Sequence, residues 1–438
     1  MLELALTLAT IFFAIYLIGK WKIFQMEGIS VSVFKGLFII KIIAALALYV
    51  IYTQYYKDRA YADIFRYYDD SEVIYNTLFS KPWDFFRMLT GIDGRAPEIL
   101  PYYDIMKNWY NTDLIFNDSR TMIRINAFLR LFSMGTYFPH AVVMCFLAML
   151  GLTGIFRVAN ELIKGKSLLL MVIIFLLPST LLWTSGMIKE AFLIFALGVL
   201  MYQISQALKM GDFSGRRISY MVISMMILLT VKAYVLFLIF PVLLIWVISH
   251  YRKSNSYLFM ILFFTGYFLL LGSMAPVLIG KEVPSMIAKK QAEFYFVADR
   301  ENAQSVIEVT RLEPTWTSLI VEAPSAFFRT LFLPMPQHAH NILMWFSVLE
   351  NLLILFIILF LLFSLKKQKG SPNLMLVSSF FVFGCTIFIL SGWVTPIIGA
   401  LVRYKVPGLP FFLFPLTFFS YHKWMSGAQF KWFYSNKG

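Results

Sequence analysis

The chain has 438 residues, of which 59% are hydrophobic and 14% charged, with 38 Lys and Arg against 24 Asp and Glu. A soluble domain is about half apolar and a quarter charged, so this composition excludes an ordinary water-soluble globule. The formal charge of +14 is that of basic loops flanking membrane spans and does not call for a nucleic-acid partner.

Apolar stretches recur along the whole sequence, each long enough to cross a bilayer as a helix. Backbone groups in lipid must be satisfied within their own segment, which favours helices, and the short alternating strands of a barrel are absent from the pattern. The expected fold is therefore an all-α, polytopic transmembrane bundle of about eleven spans, one integral membrane domain over residues 1–438. Segment 1–19 has no basic leader and no small-residue cleavage site, so it reads as a span. The others fall near 31–54, 137–156, 167–184, 188–206, 218–231, 233–249, 258–279, 342–363, 374–393 and 406–421. The 218–249 region reads either as two spans or as one bent one. Cys145 and Cys385 both lie in apolar runs and imply neither a disulfide nor a metal framework.

Alternate short loops are basic: Lys20 and Lys22; Arg157, Lys164 and Lys166; Lys209, Arg216 and Arg217; Arg252 and Lys253; Lys366, Lys367 and Lys369. The tail adds Lys423, Lys431 and Lys437, whereas the opposing short loops hold only Lys189, Lys232, Arg403 and Lys405. The positive-inside rule then places the N-terminus outside and the C-terminus in the cytoplasm. Two longer polar stretches, 55–135 and 280–341, fall on the external face. Within the first, 82–89 (Pro-Trp-Asp-Phe-Phe-Arg-Met-Leu) is amphipathic and suits either the membrane interface or a cap helix packed on the bundle.

No phosphate loop, zinc-binding His-Glu-x-x-His or nucleophile elbow is present. His140, His250, His338, His340 and His422 are scattered; the spacing of His338 and His340 fits solvated loop histidines better than a metal site. Four places remain. In 61–76, helical spacing puts Asp63, Arg66 and Asp70 on one face and Asp69, Glu72 and Asn76 on another. Such a helix is either solvated, with Arg66 paired to its acids, or offers a carboxylate as general base or metal ligand. Trp183-Thr184-Ser185-Gly186 leads to Lys189 and Glu190, an ionisable pair at a span boundary. Glu350 sits inside an apolar run and needs a partner or a wet cavity. Arg403 and Lys405 stand just before the last span, as headgroup anchors or as a phosphate clamp. Under the assigned topology all four places lie at or near the external face.

These residues resemble the GT-C superfamily of membrane glycosyltransferases, in the bacterial branch related to protein mannosyltransferases and lipid A aminoarabinose transferases. The likeness is carried by Asp70-Ser71 with Tyr75; Pro178 with Trp183-Thr184-Ser185-Gly186 and Lys189-Glu190; Pro334-Met335-Pro336 before Glu350-Asn351; and Arg403-Tyr404-Lys405-Val406-Pro407 with Pro410. The middle two also look like those of bacterial polysaccharide-locus membrane proteins. The resemblance implies Asp70 as catalytic acid–base residue, with Asp69 its rival. It also implies a polyprenyl-phosphate sugar donor. The first long loop follows the second span, not the first, and no large soluble domain follows the membrane part. Both departures leave the branch and the acceptor open.

The expected activity is an inverting sugar transfer at the periplasmic face of a bacterial inner membrane, to a glycan, lipid or protein acceptor. Arg403 and Lys405 would bind the donor phosphate, with Lys189, Glu190 and Glu350 as further binding residues. No ligand pattern requires a metal, although a divalent Mg or Mn ion is compatible with the chemistry. Polymerisation of O-antigen or exopolysaccharide, transport of a lipid-linked glycan and a scaffold role stand as alternatives.

Overall fold

A computed structural model describes residues 1–55, 59, 62–94, 96–109, 117–252, 256–300, 303, 305–339, 342–364 and 373–420. Lys253, Lys366, Lys367, Lys369, Lys423, Lys431, Lys437, His340 and His422 lie outside them. Among the described residues the chain is helical, with no strands beyond two isolated bridges. The helices are α1 Leu2–Lys20, α2 Val31–Val50, α3 Asp63–Ser80, α4 Pro82–Thr90, α5 Leu100–Asp104 and α6 Asp118–Ser133. Then come α7 Phe138–Leu162, α8 Ser167–Met171, α9 Pro178–Trp183, α10 Lys189–Met210, α11 Gly215–Arg252 and α12 Tyr257–Ile279. The last are α13 Val283–Arg300, α14 Trp316–Phe332, α15 Ile342–Phe363, α16 Leu374–Val394, α17 Ile398–Tyr404 and α18 Leu409–Phe419.

Eight of them (α1, α2, α7, α10, α11, α12, α15 and α16) are long and apolar enough to cross a membrane. The remaining expected spans are those where a single straight helix fails. The 38 residues of α11 would measure about 57 Å, well beyond a bilayer's hydrocarbon core of about 30 Å. A non-helical Lys232 (φ −151°, ψ 81°) breaks it where the sequence separates two spans. Segment 167–184 is interrupted by a π-helical stretch, Val172–Leu176, and by Pro178. The last apolar run keeps only the 11 helical residues of α18.

The chain divides into two compact units. The first joins Met1–Val158 with Leu181–Leu236. Glu3 accepts the backbone amides of Tyr137 (3.1 Å) and Phe138 (3.2 Å), which sets the start of α1 level with the start of α7. At the opposite end Arg157 donates to the carbonyls of Lys22, Ile23 and Gln25 in the α1–α2 turn. Gly151 and Gly154 let α7 lie backbone to backbone on α10: a Cβ on Gly198 would come within 1.8 Å of the Gly151 carbonyl oxygen. Small residues at such crossings are how helices approach closely in lipid, where apolar burial between helices brings little. The match of 151 with 194 and 154 with 198 makes the two helices parallel.

Helices α3 to α6 form a cap within this unit. Ile64, Phe65, Tyr67, Tyr68 and Ile74 of α3 are buried with Met122, Ile123 and Ala127 of α6 and Phe85 and Met88 of α4. The opposite face of α4 leaves Trp83 and Phe86 exposed and stacked, ring centroids 5.5 Å apart. The amphipathic run at 82–89 is thus a cap helix with a bare aromatic face.

The second unit takes Ala159–Thr180 and the chain from Phe237 on. Gly392 of α16 faces the Ala326 carbonyl of α14, where a Cβ would approach to 2.1 Å, and Thr330 Oγ1 donates to the Phe388 carbonyl at 2.7 Å. Helix α14, inside the stretch 280–341, therefore packs antiparallel along the span α16. Gly384 admits the backbone of Phe412, and Phe380, Phe383, Phe388, Phe411 and Phe414 fill the α16–α18 interface.

Candidate functional site

Helix α3 separates its acids by direction. Asp69, Glu72 and Asn76 follow the i, i+3, i+7 spacing and line an open cleft of about 450 Å³, completed by Val73, Thr77, Ser80, Tyr102 and Ile105. Carboxylates, an amide, hydroxyls and a tyrosine ring are the side chains that bind a sugar hydroxyl face. Arg59 reaches Asp69 with two parallel bonds, Nη2 to Oδ1 at 2.7 Å and Nε to Oδ2 at 2.9 Å. Its guanidinium carbon lies 3.9 Å from the Phe65 ring centre. The hydrogen bond that Arg59 donates to Asp69 raises the Arg59 pKa further.

Asp70 points the other way. It is buried, and its oxygens accept the backbone amides of Lys107 (3.1 Å) and Asn108 (2.7 Å), 37 and 38 residues along the chain. Burial pushes its carboxyl up, against the lowering by these amides and with a small push from Asp69. Asn108 also donates through Nδ2 to the Arg66 carbonyl. Asp70 thereby fixes the 107–108 turn to α3, and α3 is half-embedded, not merely solvated. The contacts described for Asp70 run to the 107–108 turn; the side chain of Asp63 lies outside the described residues.

Beneath the cleft a buried polar network ties α3 to α6. Arg130 donates to Ser71 Oγ (2.8 Å) and to the Tyr68 carbonyl (2.9 Å), and stands 3.5 Å from Glu72. His140 is held between Ser133 Oγ (2.7 Å) and Asn126 Oδ1 (2.9 Å), and the Tyr68 hydroxyl donates to the Gly135 carbonyl. Asn117 caps α6 by accepting the Arg120 amide at 2.8 Å.

The dipeptide Lys189-Glu190 engages two further ion pairs. Lys189 donates to Asp118 at 2.7 Å and lies over the Tyr67 ring, while the fully buried Glu190 accepts from Lys232 at 3.1 Å. Burial pushes the Asp118 carboxyl up, but the charge and hydrogen bond of Lys189 outweigh it and hold it below the usual range. Neither residue of the dipeptide faces the cleft lining. Below them Lys41, buried within α2, donates to Thr184 Oγ1 at 2.6 Å, next to the end of α9. Lys41, Arg59, Asp118 and Arg130 were not singled out from sequence. A lysine inside the apolar run 31–54 is the signal that could have flagged Lys41.

The second unit holds the other expected residues. Lys405 is buried and donates to Asn351 Oδ1 at 2.6 Å. Asn351 in turn donates to the carbonyls of Phe332 and Pro334 at 3.1 Å each, anchoring the end of α14 to α15. Glu350 is buried, with its Oε1 lacking a hydrogen-bond partner among the described residues. Arg403 is half-buried in the last turn of α17. Among the described residues no three His, Cys, Asp or Glu side chains converge as a metal site.

No family model, curated protein or solved structure matches the chain. The cleft on α3 therefore stands on its own chemistry. There the structure brings Asp69 together with Glu72, Asn76 and Arg59, and gives Asp70 to the cap's framework.

Proposed function

We propose that the protein is a membrane glycosyltransferase, moving a sugar from a polyprenyl-phosphate donor to a hydroxyl of a glycan, lipid or protein at the outer face of a bacterial inner membrane. The observation that carries this reading is the open cleft in which Asp69, Glu72 and Asn76 share one face of α3. Asp69 accepts the proton of the acceptor hydroxyl as its oxygen attacks the anomeric carbon. The new glycosidic bond forms as the bond from that carbon to the phosphate oxygen breaks, and the electron pair leaves with the phosphate. A single displacement inverts the anomeric centre. Asp70, the motif's first candidate for the base, serves by holding the 107–108 turn that fixes the cap beside the cleft. In the second unit, taken by itself, Arg403 and Lys405 keep the anionic-headgroup role of their motif, and Lys405 donates to Asn351.

The test is turnover of a polyprenyl-phosphate sugar by purified protein in nanodiscs. Asp69→Asn should lower turnover about 100-fold or more, the usual weight of a general base. Undiminished turnover in Asp69→Asn refutes the assignment. The buried Glu350 and Lys405 favour a second reading, a carrier of lipid-linked glycans, because ionisable groups within a membrane mark transport pathways. That reading predicts movement of labelled lipid across proteoliposomes with no new glycosidic bond.

A further inference from the structure

We propose that Arg59 is an anion fork that latches Asp69 until a phosphate group displaces the carboxylate, so that the base is released only when the anionic substrate is seated. The inference rests on the transferase reading for the purpose of Asp69, but the exchange itself stands on the geometry of unit one.

Guanidinium presents two parallel N–H donors whose spacing suits a carboxylate or a phosphate equally well. In the resting protein that fork is filled by Asp69, through both Nε and Nη2. The pair is open to solvent, with side-chain exposures of 53% for Arg59 and 41% for Asp69. Exposed ion pairs contribute little, so exchanging one anion for another is cheap. Glu72, the cleft's other acid, is also exposed and stands 3.5 Å from the buried Arg130. Glu190 is enclosed with Lys232, Asp118 meets a lysine that is 11% exposed, and Asp70 is tied to two backbone amides.

Two features keep the fork in place when Asp69 leaves. The flat face of the guanidinium rests on Phe65, which leaves its donor edge for an anion. Phe65 is itself buried in the cap core. Arg59 also follows closely on Tyr55, where the π-helical turn that ends the span α2 stops. Once phosphate occupies the fork, Asp69 is freed beside the cleft that it lines with Glu72 and Asn76. The consequence is an order of events: anion first, acceptor deprotonation second. An acceptor arriving alone meets a carboxylate with one lone pair on each oxygen already engaged by Arg59.

The ligand class is a phosphate monoester or diester, from a lipid headgroup or from a soluble phosphate. The experiment titrates full-length protein in nanodiscs with undecaprenyl phosphate in one arm and inorganic pyrophosphate in the other, reading binding and not turnover. Arg59→Gln should weaken binding about 10-fold or more, the weight of a charge-assisted pair of hydrogen bonds. Arg59→Lys should recover part of it. Asp69→Asn should bind several-fold more tightly than wild type, because the internal competitor loses its charge. That tightening separates a latch from a cation that merely lies nearby. An Arg59 dependence confined to the lipid arm assigns the headgroup as source; one in the pyrophosphate arm alone assigns a soluble phosphate. Wild-type affinity in Arg59→Gln, or unchanged or weaker binding in Asp69→Asn, overturns the proposal. Both side chains are exposed, and thermal unfolding of each variant checks that the cap is intact. Because no turnover is read, failure of the fork and failure of the transferase reading are separate results.

Discussion

Replacing Asp70 by Asn separates a framework carboxylate from a catalytic one. The native side chain accepts two amides, at 3.1 and 2.7 Å. Asparagine keeps one acceptor and turns an NH2 group toward the other amide. One bond to a charged group is lost, about 1.5–3 kcal/mol, and a sequestered N–H is left unsatisfied, about 1–3 kcal/mol. Relief of the buried charge, visible in the raised carboxyl, offsets part of this. The expected net loss is about 2–4 kcal/mol. It should appear as a lowered thermal midpoint in nanodiscs and as faster hydrogen exchange at Lys107 and Asn108. The sign with pH follows: the folded carboxyl holds its proton above the unfolded value of 3.8, so its ionisation costs stability as pH rises through that interval. Asp70→Asn should remove this dependence. An Asp70→Asn protein with wild-type unfolding and exchange but no turnover would refute the reasoning and return the base role to Asp70.

Glu190 and Lys232 form a buried pair, so Lys232→Met alone should cost about 3–5 kcal/mol, and Glu190→Leu added to it should restore most of that loss in thermal unfolding. Gly198→Ala forces a Cβ to within 1.8 Å of the Gly151 carbonyl oxygen and should destabilise by about 1–3 kcal/mol or more, read in the same assay. Asp118, whose carboxyl is lowered, contributes stability that is present above its unfolded value of 3.8 and is lost as pH falls through the folded value. Acid titration of unfolding should show this step, and Lys189→Met should abolish it. Cysteines placed at Gly94 and Ala303 should react with an impermeant reagent in spheroplasts while one at Gly370, outside the described residues, should not; labelling at Gly370 alone overturns the sidedness.

Apolar length made the long helices legible, because a span is a local property of about 20 residues. The break at Lys232 was legible for the same reason: a lone lysine interrupts an apolar run. What Asp70 does was not legible, since the amides it holds arrive from 37 and 38 residues away. Adjacent acids on a helix differ by about 100° in direction, and only the packing of α3 on α6 decides which of Asp69 and Asp70 is covered. The partner of Glu3 lies 134 residues away at Tyr137, so no window of sequence contains that contact. Within 280–341 the composition averages the polar α13 with the more apolar α14, so the packing of α14 along α16 was not legible.

The broken stretch between α7 and α10 has a consequence for how the chain is made. Parallel neighbours oblige the intervening polypeptide to return from the far end of the pair to the near one. Yet the apolar helix available there, Ser167–Leu176, spans about 15 Å, half the hydrocarbon thickness. A translocon releases each segment into lipid on its own apolar length, and this one falls short. Apolar length alone therefore does not drive its insertion. Where the chain re-enters the first unit, Lys41 of α2 holds Thr184 just ahead of α10.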